Sequence, residues 1–339
     1  MEEYVAETIR SVLAQTYRDW EMIIIDDGST DSSLKTSKVA AGGDPRIRIL
    51  RNDVNKGVSV TANLGLHQAT GFYMARLDAD DVAQPEWLQT RVAFLESHPS
   101  VVVVSSSRFL INEAGHRIGR THESQLSEII TWELIFGNPI PQSGTVCVLD
   151  AVRKAGGYNQ GIRTGIEDWE LWVKLSMMGT LIIEEPPMIN YRVNSRGLSA
   201  VNRDNRASKE QSLQLVMPSM GFNATGRKLP GELLWLLYRN RPVTRERRDL
   251  CQQANRCVLE LYEKYLEQHA KSGVVALLAA SVLDKIAHIS ACDKWNLLVR
   301  GKILGSVLRR VGWRAITCQS GWRAILKLLV PLTRAPSIS

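Results

Sequence analysis

The feature that most constrains the fold is a regular alternation, within residues 1–107, of short β-branched apolar runs with segments of helical period. Helical spacing covers residues 1–17, 31–41, 57–69 and 85–98, and the strand-like runs are WEMIII (20–25), RIRIL (46–50), FYMARLD (72–78) and VVVVSSS (101–107). Strands that alternate with helices predict right-handed crossover connections and a mostly parallel sheet covered on both faces. We therefore predict an α/β fold with a Rossmann-like sheet flanked by helices.

Acidic residues gather where two of these predicted strands end. Asp26 and Asp27 open the turn DDGSTD after the first strand, and Asp78, Asp80 and Asp81 close the third strand in LDADD. In sheets of this kind, ligands bind beyond the carboxyl ends of the strands. Both groups of carboxylates are therefore expected at the same rim of the sheet.

The spacing of Asp78 and Asp80 suits a divalent metal. Alternate residues of an extended segment point the same way, so both side chains can share one target. Mg²⁺ and Mn²⁺ prefer oxygen ligands and complete their coordination with water and substrate phosphates. A lone DxD pattern is common by chance, however, and Asp81 can equally well start the helix that has Pro85 in its first turn.

Two further segments carry candidate residues. NDVNKGVSVTAN (52–63) places Gly57 before a helix N-terminus, where phosphate or ribose can bind, although a plain strand-to-helix connection also fits. The sequence contains neither the GxGxxG dinucleotide fingerprint nor the GxxxxGK[ST] P-loop. In GIEDWELWVKL (165–175), Glu167 and Asp168 are either favourable first-turn residues of a helix or the source of a general base for an acceptor hydroxyl.

Taken together and in this order, five segments resemble the family 2 inverting glycosyltransferases of GT-A fold, and the likeness covers residues 1 to about 200. The segments are AETIRSVLAQTYRDWEMIIIDDGSTD, ARLDADD, AGGYNQ, IEDWELWVKL and YRVNSRGLS, and an N-x-G pattern lies between the first two. The resemblance implies roles for individual residues. A Mn²⁺ or Mg²⁺ ion would be bound by Asp80 and Asp78. Asp168 would be the catalytic base, with Glu167 beside it at the acceptor site. The residues that would bind the nucleotide sugar are Asp26, Asp27, Gly57, Asn63 and Asp78.

The reaction implied by the resemblance is metal-dependent, inverting transfer of a sugar, from UDP as the expected carrier. The acceptor would be a hydroxyl of a glycan or lipid-linked saccharide in polysaccharide biosynthesis of a bacterial cell envelope. One displacement with one base inverts the anomeric carbon. The QxxRW-type motif of processive synthases is absent from the sequence, which favours a single-transfer enzyme. Ala62 stands where the family often has Arg before Asn63, which removes one expected phosphate contact.

Two other functions fit parts of the pattern. DADDV (78–82) matches the DxDx[TV] nucleophile pattern of haloacid-dehalogenase-like phosphohydrolases, in which Asp78 is phosphorylated, although that pattern normally lies on the first strand of its domain. The alternative without catalysis is an impaired sugar-nucleotide-binding or scaffold protein. Family members usually begin with one more strand, of the type VSVIIPxYN, and this sequence starts just after it, so we expect an N-terminally incomplete domain.

After about residue 200, where the resemblance ends, strand-like patterns give way to helical ones. We expect the glycosyltransferase domain at 1–200, a linker at 201–228 and a mainly helical C-terminal region at 229–339. The net charge of +7 belongs to a basic tail, residues 294–339, which has nine Lys and Arg and no acidic residue. Its basic, Trp-containing amphipathic pattern favours either peripheral contact with anionic lipid or docking on its own domain. No nucleic-acid-binding motif accompanies the charge, so no nucleic-acid partner is expected.

The sequence also bears on location. Its longest weakly charged run, SGVVALLAASVL (272–283), is shorter than the roughly 20 residues of a bilayer-spanning helix. The five cysteines show neither CxxC nor metal-ligand spacing, and the acidic start is unlike a signal peptide. We therefore expect a cytoplasmic protein, either free or peripheral on the inner face of the membrane.

Overall fold

The computed structural model describes residues 1–121, 126–162 and 165–194, together with scattered positions between 257 and 282. These residues form two compact units. The first holds the described residues of 1–130 and 138–194, and the second holds 131–137 with the described positions between 257 and 282. The predicted linker at 201–228 and the basic tail at 294–339 lie outside the described residues, as does most of 229–339, so these remain predictions.

Helices and strands alternate along the described residues up to 194. The helices are α1 (Val5–Leu13), α2 (Ser33–Ala41), α3 (Val58–Gln68), α4 (Trp87–Ser97), α5 (Ser127–Glu133), α6 (Leu149–Lys154) and α7 (Glu167–Ser176). The strands are β1 (Met22–Asp26), β2 (Ile47–Arg51), β3 (Tyr73–Ala75), β4 (Val82–Ala83), β5 (Val101–Ile111), β6 (Arg117–Arg120), β7 (Val146–Val148) and β8 (Thr180–Arg192). The predicted α/β class is confirmed.

The strands form two sheets. β1 and β2 pair in parallel, with Met22 opposite Ile47 and Asp26 opposite Arg51. The second sheet has the order β3-β7-β5-β8-β4, with β6 on β5, and it is mixed. β5 and β8 run parallel, whereas the β3–β7, β5–β7, β5–β6 and β4–β8 pairs are antiparallel. Among the strands of the described residues, parallel pairing therefore holds for β1–β2 and β5–β8 only. Because β1 and β3 lie in different sheets, the two groups of carboxylates do not follow strands of one sheet.

Strand β3 is shorter than predicted, because the chain leaves the sheet before LDADD. A connection at 76–81 leads directly to β4. At its start, Arg76 continues the main-chain hydrogen bonding toward the segment before β7: its N–H donates to Thr145 O at 2.9 Å, and Gly144 N–H donates to the carbonyl of Arg76 at 2.7 Å. At Gly144 φ is +88°, and a Cβ would lie 2.2 Å from Cγ1 of Ile189, so glycine is required there. The buried Trp87 indole donates to Gly144 O at 2.9 Å. The hydrophobic core thereby fixes the start of the 76–81 connection.

Helix α1 packs close to this connection because its apolar residues recur at helical spacing. Val5, Ile9 and Val12 are buried on one face, with Thr8 and Ser11 buried beside them. Burying two hydroxyls requires hydrogen-bond partners. The hydroxyl of Ser11 accepts a hydrogen bond from the N–H of Ala83 in β4. The hydroxyl of Thr8 donates to the main-chain oxygen of Asp81, just before β4.

In the second unit the described residues form an aromatic core. Trp132 meets Phe136, Tyr262 and Tyr265 edge-on, with ring centroids 5.0, 6.0 and 5.5 Å away. Its indole N–H donates to Ser281 Oγ at 3.0 Å, so the buried polar atom is satisfied. Across the part of the chain that the structure describes, no helix is long and apolar enough to cross a membrane.

Candidate active site

Asp26 ends β1 and is almost buried, with a side chain that is 5% exposed. Its Oδ1 accepts the N–H of Ser29 at 3.3 Å, and its Oδ2 lies 3.3 Å from Nε of the half-exposed Arg51 on β2. The β1–β2 register, which sets Asp26 opposite Arg51, produces this ion pair. The structure thus places a carboxylate and a guanidinium together at the end of the two-stranded sheet.

Asp27 has a different environment, since protein donors surround its carboxylate. Oδ1 accepts from Asn52 Nδ2 at 2.8 Å and from Lys56 N–H at 2.9 Å, and Oδ2 accepts from Gly57 N–H at 2.9 Å. Burial raises the pKa of Asp27, but these hydrogen bonds outweigh it and the pKa is lowered. Asp27 therefore ties the turn after β1 to the loop before α3.

Gly57 and Asn63 are also engaged within the protein. Gly57 precedes α3 with φ +87°, and its N–H is the one that Asp27 accepts. The buried Asn63 donates from Nδ2 to Tyr158 O at 2.7 Å and accepts Tyr158 N–H on Oδ1 at 2.9 Å. It thus fastens α3 to the AGGYNQ segment. The role of both residues in donor binding stays a prediction.

The main chain of the 76–81 connection is held by three separate parts of the fold. Thr8 Oγ1 on α1 lies 3.0 Å from Ala79 O and 2.8 Å from Asp81 O. From the end of β8, the guanidinium of Arg192 donates from Nε to Asp80 O at 2.9 Å. The main-chain N–H of Asp78 donates to the hydroxyl of Ser143 at 3.1 Å. The main chain of this segment is therefore fixed independently of any bound ligand.

Crowded negative charge is the main electrostatic feature of this segment. Asp81 is completely buried, and its Oδ1 accepts Arg192 N–H at 2.9 Å, while its buried Oδ2 has no hydrogen-bond partner among the described residues. Burial, together with the charge of Asp78, raises the pKa of Asp81 to about 7. The same two causes raise the pKa of Asp80, whose Oδ2 lies 3.4 Å from Asn194 Nδ2.

A second pair of carboxylates begins α7. The sequence EDWELWVKLS forms this helix because Trp169, Leu171, Trp172 and Leu175 are buried, which leaves Glu167 and Asp168 in its first turn. Asp168 Oδ1 accepts Trp169 N–H at 2.8 Å, and Oδ2 accepts from Asn138 Nδ2 at 2.7 Å. Burial, followed by the charge of Glu167, raises the pKa of Asp168 to about 7.

Arg76 brings the two groups of carboxylates into one electrostatic cluster. Its Nη2 lies 3.2 Å from Asp78 Oδ1, and its charge also acts on Glu167 and Tyr158. Burial raises the pKa of Glu167, and the charge of Arg76 opposes that increase. Asp78 in turn raises the pKa of Asp168. The site therefore combines acids from the 76–81 connection and from the start of α7 around a guanidinium.

The structure brings together some of the predicted residues and not others. The charge of Asp78 acts on Asp80 and also on Glu167 and Asp168, so Asp78 links the two predicted groups. Within the described residues, no hydrogen bond or ion pair joins Asp26 or Asp27 to them. Sequence reasoning gave no role to Arg76, Asn138, Arg192 or Asn194. Three of these stand inside the quoted motifs ARLDADD and YRVNSRGLS, which is the signal that could have found them. Asn138 stands in the segment FGNPIPQSGT (136–145), on which the choice of sugar and acceptor is expected to depend.

Comparison with known proteins bears on these residues. A model of the family described as glycosyl transferase family 2 matches residues 2–162, which include Asp26, Asp27, Asp78 and Asp80. The protein named as glycosyltransferase EpsE of Bacillus subtilis is 37% identical over 175 residues, which is 51% of this chain and 62% of EpsE. The amylovoran biosynthesis glycosyltransferase AmsE of Erwinia amylovora is 27% identical over 188 residues, which is 55% of this chain and 69% of AmsE. The matched region thus spans less than two thirds of EpsE.

Among solved structures, S. aureus TarS 1-349 in complex with UDP-GlcNAc is similar in fold. The TM-score is 0.55 at 13% sequence identity, covering 97% of this chain and 87% of that one. At such low identity the similarity concerns the fold alone. It agrees with the α/β architecture and the mixed sheet described above.

Proposed function

Because a model of glycosyltransferase family 2 matches residues 2–162 of this chain, we propose that the protein transfers a sugar from a nucleotide-sugar donor. The acceptor would be a hydroxyl of a glycan or lipid-linked saccharide, and the transfer would proceed with inversion and one sugar at a time. The observation that carries this proposal is that the charge of Asp78 acts on Asp80 in its own segment and on Glu167 and Asp168 at the start of α7; in all three carboxyls burial is the first cause that raises the pKa, and Asp78 raises it further. Strongly perturbed acids gathered in this way are typical of catalytic sites.

A divalent cation fits this cluster. Among the described residues, no group of three or more His, Cys, Asp or Glu side chains forms a complete metal site. Mg²⁺ and Mn²⁺ need only one or two carboxylates, however, when substrate phosphates supply other ligands. Burial and the charge of Asp78 raise the pKa of Asp80, so a cation next to this carboxylate would favour its ionised form. Asp80, with Asp78, would hold the ion, which supplies positive charge to a departing diphosphate.

Asp168 fits the role of general base. A base works best when its pKa lies near the working pH, and burial next to Glu167 brings the pKa of Asp168 to about 7. It would accept the proton of the acceptor hydroxyl while that oxygen bonds to the anomeric carbon. The bond from that carbon to the diphosphate breaks on the opposite face, and the electron pair leaves with the nucleotide. A single displacement of this kind inverts the anomeric configuration.

The nucleotide would be recognised at the end of the two-stranded sheet. Asp26 can accept a hydrogen bond from the base, while Asp27 contributes indirectly by holding the loop before α3. UDP is the expected carrier, and because TarS, which is similar in fold, was solved in complex with UDP-GlcNAc, that nucleotide sugar is one sensible probe. Membrane contact through residues 294–339 remains a prediction about residues outside the described part.

The proposal is tested by binding and turnover of a panel of UDP- and GDP-sugars with Mn²⁺ or Mg²⁺. Wild type is compared with Asp80→Ala, Asp168→Asn and the control Asp150→Asn, which changes an exposed carboxylate on α6. We expect metal-dependent binding of a donor by wild type, loss of that binding in Asp80→Ala, and retained binding without transfer in Asp168→Asn. The control should match wild type.

Other outcomes favour the alternatives. Metal-dependent donor binding without turnover by wild type would identify a sugar-nucleotide-binding or scaffold protein. Phosphate release from a phosphomonoester that depends on Asp78 would favour the phosphohydrolase. Family membership gives that second alternative no support.

A further inference from the structure

Asn138 reaches the Asp168 carboxylate from a separate part of the first unit. It lies in the loop that leads to β7, thirty residues before Asp168 in the sequence. Its Nδ2 donates to Asp168 Oδ2 at 2.7 Å, and its Oδ1 accepts Ile140 N–H at 3.0 Å. Because a main-chain N–H can only donate, the bond from Ile140 identifies the amide oxygen of Asn138. The amide nitrogen must then face Asp168.

Asp168 is consequently held on both sides. Trp169 N–H donates to Oδ1 at 2.8 Å, and Asn138 donates to Oδ2. Each carboxylate oxygen has two lone pairs, so each keeps one for an incoming hydroxyl. Asp168 is half-buried and Asn138 is exposed, which leaves an approach from solvent. The arrangement fixes the carboxylate without saturating it.

We propose that Asn138 is a positioning residue that holds the Asp168 carboxylate in its reactive orientation, an inference that rests on the proposed role of Asp168 as the base. The Trp169 contact belongs to the backbone of α7 and restrains one oxygen only. Rotation of the carboxylate about its Cβ–Cγ bond is opposed by a second donor placed elsewhere in the fold. A misplaced catalytic group lowers the rate without weakening ground-state binding.

Three acids act electrostatically on Asp168: Glu167 on α7, Asp78 from the 76–81 connection and the Tyr158 hydroxyl from the segment after α6. The guanidinium of Arg76 acts in turn on Glu167 and Tyr158. Glu167 and Asp78 raise the pKa of Asp168, whereas the Asn138 amide lowers it. Loss of Asn138 should therefore both free the carboxylate and move the acid side of the pH–rate profile to higher pH.

Donor hydrolysis without any acceptor isolates this effect. In that reaction a water oxygen bonds to the anomeric carbon, a water proton passes to Asp168, and the bond to the diphosphate breaks with its electron pair remaining on UDP. No acceptor is present, so a lost acceptor contact cannot explain a lower rate. The probes are UDP-N-acetylglucosamine, UDP-glucose and UDP-galactose with Mn²⁺, and UDP release is measured from pH 5 to 9.

The variants separate the hydrogen bond to Asp168 from the turn that Asn138 also forms. Asn138→Ala removes both, and Asn138→Asp keeps the acceptor for Ile140 N–H but loses the donor to Asp168. Asn159→Ala is the control, because Asn159 accepts Gly161 N–H at 3.0 Å across the same two-residue span on another loop. Asp168→Asn reports whether the proposed base is used at all.

We expect Asn138→Ala and Asn138→Asp to lower kcat by roughly 10- to 100-fold, the range that loss of one hydrogen bond to a charged group allows. KM for the donor should be unchanged, the acid limb of Asn138→Ala should lie at higher pH, and Asn159→Ala should resemble wild type. Wild-type rates in Asn138→Asp or Asn138→Ala, with Asp168→Asn inactive, would overturn the role of Asn138 alone. A wild type that hydrolyses no donor, or an Asp168→Asn variant with full activity, would overturn the proposed function and this inference with it.

Discussion

The buried guanidinium of Arg192 donates a hydrogen bond of 2.9 Å from Nε to the main-chain oxygen of Asp80. Its Nη1 reaches the carbonyl oxygens of Asn112 and Glu113 at 3.2 and 2.9 Å, and Nη2 lies 2.6 Å from the Glu7 carboxylate. One side chain at the end of β8 therefore joins α1, the end of β5 and the acidic connection. The main chain at Asp80 is thus held by a side chain that lies 112 residues later in the sequence.

Replacing Arg192 with Lys should destabilise the first unit. An ammonium group keeps the charge but cannot donate in the several directions of the guanidinium fork, so buried carbonyl groups lose their donors. We expect the free energy of unfolding to fall by roughly 3 kcal/mol, and metal-dependent donor affinity to fall with it. Urea denaturation and donor titration measure the two effects. The control is Arg117→Lys, which changes an exposed arginine over the Phe109 ring and should lower the free energy of unfolding by at most about 1 kcal/mol. Equal losses of stability in the two variants would contradict the role of Arg192.

The raised pKa of Asp168 predicts a pH dependence of stability in the metal-free protein. Its carboxyl titrates at about 7 in the folded chain against an ordinary value of 3.8, so between about pH 4 and 7 the folded state binds more protons than the unfolded state. The free energy of unfolding should therefore decrease as pH rises through this window. Asp168→Asn should reduce the slope, while Asp81, shifted in the same direction, retains part of it. Denaturation curves at pH 4, 5, 6 and 7 measure the slope, and an identical slope in the variant would disprove the assignment.

Gly28 should be far less tolerant of substitution than Gly43, although both have positive φ, +72° and +77°. A Cβ on Gly28 would lie 2.7 Å from the carbonyl carbon of Val54 and 2.8 Å from the amide nitrogen of Asn55, whereas Gly43 has nothing within 4 Å. Gly43→Ala should cost about 1 kcal/mol for the left-handed backbone alone. Gly28→Ala should cost about 1–3 kcal/mol more, because backbone atoms must move. Chemical denaturation compares them, and similar losses would show that the close approach is not a constraint.

Asp27→Asn should weaken the tie between β1 and the loop before α3. The carboxylate accepts three hydrogen bonds, and an amide must turn its NH₂ group toward one of those donors. We expect a loss of roughly 2 kcal/mol at pH 7. Because the folded pKa of Asp27 is lowered, its contribution is present above the unfolded value and is lost as pH falls through the folded one. Denaturation at pH 7 and at pH 3 tests this, with the exposed neighbour Asp53→Asn as a control expected to change little.

Local patterns in the sequence were sufficient for several features. The helical spacing of Val5, Ile9 and Val12 predicts α1, and the aromatic run after Asp168 predicts a helix with two acids at its start. Each depends on neighbours a few positions apart, which periodicity records directly. The β1 strand and its terminal acids were predictable for the same reason. The resemblance to glycosyltransferase family 2 likewise came from local motifs in a fixed order, and it is confirmed.

Contacts between distant parts of the chain were decided only by the tertiary structure. Asn63 binds Tyr158 across 95 residues, Arg192 reaches Asp80 across 112, and the amide of Asn138 turns to Asp168 across 30. The separation of β1 and β3 into different sheets is of the same kind. Such contacts depend on strand register and on the paths of loops, which arise from packing the whole unit. The sequence by itself determined which carboxylates the protein carries at the ends of its strands and helices. The packed fold decided which hydrogen-bond donors hold each carboxylate, because a hydrogen bond forms only where the folded chain brings its two partners within about 3 Å.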